Sequence, residues 1–344
     1  MARKKDALGA TLAPYIEPFR IDDGRCFAIG SHTTDFKGSL HKEAAHKIIA
    51  ANRERLRELQ EKLYAQNRWS VLLIFQGMDA AGKDSAIEHV MSGVNPQGCQ
   101  VYSFKAPSPQ ELDHDFMWRT SQCLPERGRI GIFNRSYYEE CLVVRVHPEI
   151  LTKQRLPRKL VTKNIWRERF EDIVAFERYL ARNGTVILKF FLHVSKEEQR
   201  QRFLERLDEP SKNWKFSMDD VAERRRWNDY QAAYEDVIRH TATPAAPWYV
   251  VPADYKWFGR VVIGSAIVAA LDALKLKFPK VDKASLRQFA EVRAALEHEG
   301  NGGNGRTTAR PVPQQAPATA ADRVPPAAAP AAGTLPSREK GQGA

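Results

Sequence analysis

The stretch FQGMDAAGKDSA, Phe75–Ala86, decides how the rest of the chain is read. Gly77, four residues and then Gly82-Lys83 form a phosphate-loop spacing. Such a loop joins a strand to a helix and turns backbone N–H groups toward an anion, with Ala80, Ala81 and Ser85 contributing from their backbone or hydroxyl. Two features depart from the common pattern: Asp84 stands where Ser or Thr is usual, and Asp79 sits inside the loop. A carboxylate beside phosphate repels it unless a divalent cation lies between them or the acid handles a proton. Magnesium takes one or two carboxylates together with phosphate oxygens and water, so Asp79 is read as a metal-holding residue. Asp84 stays open between the phosphate site and a favourable position at a helix N-terminus.

Outward from the loop, short apolar runs alternate with helical stretches. The runs are SVLLIFQ (70–76), CQVYSF (99–104), RIGIFN (129–134), TVILKFFLH (185–193) and WYVVP (248–252). Continuous apolar strands separated by helices predict an α/β fold with a parallel sheet covered on both faces. Ligands of such sheets bind beyond the strand C-terminal ends, where the quoted loop lies. Residues 1–41 read as an irregular arm. Lys42–Asn67 reads as an amphipathic helix with Ile49, Leu56, Leu59 and Leu63 on one face. The kinase-like domain is expected over 42–296. From 297 to 344 the chain turns to Ala, Pro and Gly, and from Asn301 it has no aromatic residue, which predicts a disordered tail. Val261–Leu271 is uncharged but far short of the roughly 20 residues a span needs, so it reads as a buried helix.

A second constellation follows the run at 129–134: FNRSYYEECLVVRVH, Phe133–His147. Asn134 stands where a metal-binding Asp is common. Arg135 suits bidentate phosphate contact, and Glu139, Glu140 and Arg145 follow. A third is Gln199–Tyr230, where Arg202, Arg206, Lys212, Lys215 and Arg224–Arg226 are interspersed with acids. Alone it reads as a solvated helical pair; beside a phosphate loop it reads as a lid over 199–230. The 344 residues carry 53 basic and 42 acidic side chains, a net charge of +11 that suits a polyanionic partner. Lys153–Arg169 has seven basic residues against one acid, and stays open between a polyanion surface and an ordinary basic helix face. Cys26, Cys99, Cys123 and Cys141 form no CxxC pair, so reduced thiols in a cytoplasmic protein are expected.

Six separated segments, GMDAAGKD, MSGVNPQG, SFKAPSP, FNRSYYEE, RLDEPSKNWKFS and APWYVVPADYKWF, together resemble the family-2 polyphosphate kinases. The resemblance covers residues 15 to 280 or so. It implies a P-loop kinase fold with a helical lid, and reversible transfer of the terminal phosphate of inorganic polyphosphate to a nucleotide with magnesium, manganese being the alternative ion. By that resemblance Lys83 grips the phosphate, Asp79 helps hold the metal, and Arg135, Arg145 and lid arginines such as Arg202 neutralise the transferred group. Lys105, Arg206, Lys212 and Lys215 are expected on phosphates or nucleotide, together with Gly77, Gly82, Asp84 and Asn134. Many members carry Asp at the position of Asn134 and Asn at that of Glu139. Asn-Arg-Ser before Tyr-Glu looks like the subgroup that takes both nucleoside mono- and diphosphates. Asn134 brings no charge to a metal, and Glu139 is expected to set acceptor choice through a second metal.

Two other readings compete. An ATP-dependent nucleotide or small-molecule kinase of similar fold usually keeps Ser or Thr after the loop lysine. A non-catalytic basic module binding nucleic acid would show a recognition motif, and none is present. Neither nucleic acid nor a membrane is expected as a partner, and a homo-oligomer is.

Overall fold

The computed structural model of the chain describes residues 12–301. Its centre is β2, Ser70–Gln76, in which every residue is buried. Val71, Leu73 and Phe75 point to one face of the sheet and Leu72 and Ile74 to the other, the period-two consequence of a pleated strand. Both faces are covered, so the five residues between Ser70 and Gln76 read as continuously apolar rather than alternating.

Around it stand β1 (Arg20–Ile21), β3 (Cys99–Ser103), β4 (Ile130–Asn134), β5 (Thr185–His193) and β6 (Trp248–Pro252), in the order β1-β6-β5-β2-β4-β3. All pairings are parallel except the short β1–β6 pair. The sheet is the expected one, with the residue limits of β2, β5 and β6 matching the apolar runs. The strand the sequence did not show is β1, by which the arm expected over 1–41 adds to the sheet edge. Leu12, Ile16 and Phe19 of that arm lie in the core.

Helices cover both faces. One layer holds α1 (Lys42–Gln66), α2 (Lys83–Met91) and the apolar α7 (Lys256–Ala273). The other holds α3 (Ile165–Arg182) and α6 (Trp227–Thr241), and between these two come α4 (Lys196–Asp208) and α5 (Met218–Arg225). The buried face of α1 runs through Ala45, Asn52, Leu56, Leu59 and Leu63, and Ile48, not the expected Ile49, packs against the core. Asn52 Nδ2 donates to Ser265 Oγ of α7 at 3.0 Å. No helix among the described residues is long and apolar enough to cross a membrane.

The chain divides between Lys280 and Val281. The described part of the second unit holds one helix, α8, Lys283–Asn301, which begins inside the span expected for the kinase domain and runs into the first residues of the expected tail. The rest of that tail lies outside the described residues.

One polar network sits inside the second layer. Lys189 Nζ of β5 donates to Glu177 Oε2 (2.6 Å), to the Tyr138 hydroxyl (2.9 Å) and to the Thr241 carbonyl (2.8 Å). The Tyr137 and Tyr138 hydroxyls both donate to Glu177 Oε1, at 2.9 and 2.8 Å. A lysine and a glutamate at 0% and 2% side-chain exposure persist only when paired and saturated with hydrogen bonds, which is what this network supplies.

Candidate active site

β2 lies where the strand order reverses, with β4 on one side and β5 on the other, so the crevice of the sheet opens at its C-terminal end. The phosphate loop fills that position. Its path needs left-handed backbone at Ala80 (φ 59°) and at Gly82 (φ 101°), and a Cβ at Gly77 would lie 3.0 Å from the Leu192 carbonyl oxygen and 3.1 Å from the Ala81 Cβ. Glycine is therefore required at 77 by space as well as by torsion.

Lys83 opens α2 and is buried. Its Nζ donates back to the carbonyls of Gly77 (2.5 Å) and Met78 (3.2 Å), which holds the ammonium inside the loop's own curve. Burial and the neighbouring Arg135 charge pull its pKa down to about 8, against the opposing pull of Asp79, Glu139 and Asp84.

The second constellation arrives across the β2–β4 pair. Arg135 N–H donates to the Phe75 carbonyl at 3.0 Å, so the turn after β4 is hung directly on the strand before the loop. Arg135 takes a left-handed backbone (φ 65°), which swings its guanidinium over the loop. There Nη2 donates to Asp79 Oδ1 at 2.7 Å and Nη1 to Glu139 Oε2 at 3.1 Å. Glu139 first, and Asp79 with it, raise the Arg135 pKa further above the ordinary arginine value. Asn134 Nδ2 donates to Asp84 Oδ1 at 2.5 Å, tying the end of β4 to the first turn of α2. The next acid, Glu140, turns the other way: it is buried on Arg169 and accepts from Gln154 Nε2 at 2.6 Å.

A narrow cleft opens beside these groups, bordered by Gly77, Asp79, Arg135, Glu139, Glu223 and Tyr234. Gln199 and Tyr230 also line it, and Gln199 Nε2 donates to the Asp79 carbonyl at 2.9 Å. Glu223 Oε2 accepts from the Tyr230 hydroxyl at 2.5 Å and meets His147 Nε2 at 2.9 Å, so this carboxylate is held in a fixed orientation at the cleft. Asp220 of α5 has its pKa raised by burial first and by the charge of Asp79 second. These wall residues escaped the sequence reading; the spacing of Tyr230 and Tyr234, one helical turn apart, was the available signal.

A family model for polyphosphate kinase 2 matches residues 39–279. The chain belongs to the polyphosphate kinase 2 family. It is 50% identical over 280 residues to the ADP-polyphosphate phosphotransferase of Rhodopseudomonas palustris, covering 81% of this chain and 97% of that protein. It is 47% identical over 253 residues to the AMP/ADP-polyphosphate phosphotransferase of Meiothermus ruber, covering 74% and 90%. The crystal structure of polyphosphate kinase 2 from Arthrobacter aurescens superposes with a TM-score of 0.71 at 38% identity, covering 78% of this chain and 94% of that one.

Within this member of the polyphosphate kinase 2 family, the residues expected on phosphate divide into groups. Gly77, Asp79, Ala80, Ala81, Gly82, Lys83, Asp84, Asn134, Arg135 and Glu139 come together at the sheet's crevice. Arg202 lies beneath the loop rather than over it. Its guanidinium donates to the carbonyls of Ala80 and Ala81 (both 2.9 Å), Ala253 (2.5 Å) and Asp254 (3.2 Å), and to Glu198 Oε1 at 2.8 Å. All five guanidinium N–H groups are thereby engaged, which makes Arg202 a clamp on the loop and corrects its reading as a phosphate contact. Arg145 is paired with Asp236 Oδ2 at 2.5 Å and is not among the cleft-lining residues, although its Nη1 is buried without a partner among the described residues. Arg206 donates to Asp220 Oδ2 at 3.0 Å, Lys212 to Glu209 Oε1 at 2.8 Å, and the Lys215 ammonium lies over the Trp214 ring. Lys105 is exposed, and the Ser85 hydroxyl accepts from Arg260 Nη2 at 2.8 Å.

The residues fit a hard divalent cation in one specific way. Asp79 and Glu139 converge on the same guanidinium, so both carboxylates face one small volume at the mouth of the loop. Among the described residues no three His, Cys, Asp or Glu side chains converge. The described residues at this mouth thus offer a pair of carboxylates, the number magnesium takes when phosphate oxygens and water complete its shell.

Proposed function

We propose that this chain catalyses the reversible, magnesium-dependent transfer of the terminal phosphate of inorganic polyphosphate to nucleoside diphosphates and monophosphates, ADP giving ATP and AMP giving ADP. The observation that carries the reading is the convergence of Lys83, Asp79, Arg135 and Glu139 at the end of β2, two fixed cations and two carboxylates around a phosphate loop. The relatives from R. palustris and M. ruber, an ADP-polyphosphate and an AMP/ADP-polyphosphate phosphotransferase, support both acceptors.

In the transfer, a terminal phosphate oxygen of the acceptor attacks the end phosphorus of the chain. The bond from that phosphorus to the bridging oxygen breaks, and the shortened chain leaves as the anion. The attacking oxygen is already ionised at neutral pH, so no base has to remove a proton, and positioning with charge neutralisation does the work. Lys83 moves from the Gly77 and Met78 carbonyls to the phosphate oxygens, and loop N–H groups hold the chain end. Arg135 spans the two carboxylates and places its guanidinium on the equatorial oxygens as charge spreads over them. Asp79 and Glu139 would hold magnesium, which supplies charge neutralisation between chain and acceptor.

We place the reaction in the cytoplasm, in keeping with four free cysteines, and in a homo-oligomer without nucleic acid. The test is ATP formation from ADP, magnesium and long-chain polyphosphate, with chelator and no-polyphosphate controls. An ATP-dependent kinase would instead form no ATP from polyphosphate and would consume ATP with a different acceptor.

A further inference from the structure

The helix α8 carries Leu286, Phe289, Val292 and Leu296 at 53%, 57%, 56% and 61% exposure. At about 100° of turn per residue, the four fall on one stripe about 120° wide. In α1 such a stripe is hidden, with Leu56, Leu59 and Leu63 turned into the core. Apolar side chains repeating at helical spacing stabilise a helix only when something covers them, so the stripe of α8 implies a cover.

The charges indicate what the cover is. Asp282 Oδ1 accepts from the Ser285 N–H at 2.7 Å and caps the helix. After it, the first half of α8 holds Lys283 and Arg287 and no acid. The second half holds Glu291, Glu297 and Glu299 against one cation, Arg293, which donates to Glu297 Oε1 at 2.8 Å. A lone helix prefers the reverse order, acids at its positive N-terminus and cations at its negative C-terminus. A second α8 running antiparallel turns this disadvantage into a match, because its acidic end then lies along the basic end of the first. The stripe is self-complementary in the same direction. With the two helices centred on Glu291, Leu286 meets Leu296 of the second copy, Phe289 meets Val292, and Lys283 comes beside Glu297 and Glu299. Glu291 itself lies about 160° from the stripe's middle and does not meet its own copy. The chain after Asn301 offers only Val312, Val324 and Leu335 as large apolar side chains, too few and too scattered in sequence to match the stripe.

We propose that α8 is a self-association surface, pairing antiparallel with α8 of a second copy of this chain. The inference rests on the homo-oligomer placed above and gives it a definite face; it is independent of the phosphate chemistry.

The test uses the full chain with the exposed Cys26 replaced by serine. Val292 lies beside the two-fold axis, so Val292→Cys should cross-link to its own copy through a short bismaleimide. Leu286→Cys and Leu296→Cys each place like positions about 15 Å apart along the axis, and should cross-link only when the two variants are mixed. Sedimentation velocity over a concentration series gives the affinity. Phe289→Gln, lost from both copies, should weaken association about a hundredfold. Lys283→Glu should weaken it about three- to tenfold, and Glu297→Lys in the same chain should recover part of that loss. An acid at position 283 favours the lone helix, so weaker pairing there does not come from fraying. Leu286→Cys cross-linking readily to its own copy would show a parallel pair and overturn the proposal. Association unchanged in both Phe289→Gln and Lys283→Glu overturns it as well: an assembly that persists in this way keeps the homo-oligomer and removes α8 from it. A wild type that stays monomeric at every concentration refutes both readings.

Discussion

Replacing Arg202 by methionine keeps most of the side chain's length and apolar stem and deletes every donor. In the structure those donors hold two loop carbonyls, Ala80 and Ala81, and two carbonyls of the connection after β6, Ala253 and Asp254, in one grip. The side chain is 4% exposed, so water does not easily replace it, whereas its partner Glu198 is 27% exposed and can resolvate. Each carbonyl left unpaired and buried costs about 1–3 kcal/mol, and removing one member of a buried charged cluster about 3–5 kcal/mol. Because carbonyls at the loop surface can turn to water, the lower estimate, about 3–5 kcal/mol in all, is the expected loss. For a unit of this size that corresponds to a Tm lowered by about 6–10 °C. Thermal unfolding with and without tripolyphosphate is the assay, paired with initial rates. The clamp reading also expects KM for the phosphate donor to rise, because the loop loses the support beneath it. A Tm close to wild type combined with a collapse in kcat would refute it and return Arg202 to direct phosphate contact.

Three further outcomes are expected. Lys83→Ala should keep the fold and lose about 2.7–4 kcal/mol of transition-state stabilisation, read as kcat/KM, since no other loop residue places a fixed positive charge on the phosphate; more than half of wild-type turnover would contradict this. The Lys83 pKa of about 8 lies below the ordinary 10.5, so kcat/KM for polyphosphate should fall as pH rises through about 8, and the fall should move to higher pH in kcat once bound phosphate restores the proton. In the stability profile the sign is opposite: between the two values the unfolded chain binds the extra proton, so this residue's contribution grows with pH across that window. Glu139→Asn should impair phosphorylation of AMP more than of ADP, measured as the ratio of the two kcat/KM values, and an equal loss in both would assign Glu139 a role common to the two acceptors.

The strands were legible because each is a continuous apolar run flanked by polar segments, and burial on both faces leaves no other reading of SVLLIFQ or TVILKFFLH. The loop was legible because glycine spacing and a lysine follow directly on such a strand. What stayed hidden depends on contacts far apart in the chain. Arg202 sits in a helix crowded with charge, and nothing local distinguishes it from Arg200, which is exposed and paired with Glu197. Its role comes from carbonyls more than a hundred residues earlier. Glu139 and Glu140 are adjacent, yet a short 3-10 turn sends one to the cleft and the other into the core on Arg169. β1 is two residues long, too short for any periodicity to reveal. Lys189 was visible as a lone charge inside an apolar run; its partner Glu177 looked like any helix acid.

That buried lysine bears on how the protein can change over generations. Tyr137 and Tyr138, which share Glu177 with Lys189, lie between Ser136 and Glu139 in the chain, so the core network and the turn that carries Glu139 are the same few residues of backbone. Losing Lys189 or Glu177 alone strands the other's buried charge at a cost of about 3–5 kcal/mol, roughly a third or more of the whole stability of an ordinary domain. Single substitutions are therefore filtered out before selection can act on what they do to the turn, and only paired changes pass. Libraries built to retune acceptor choice should accept diversity at Glu139 readily, while positions 137, 138, 177 and 189 stay fixed or vary together as one inherited block.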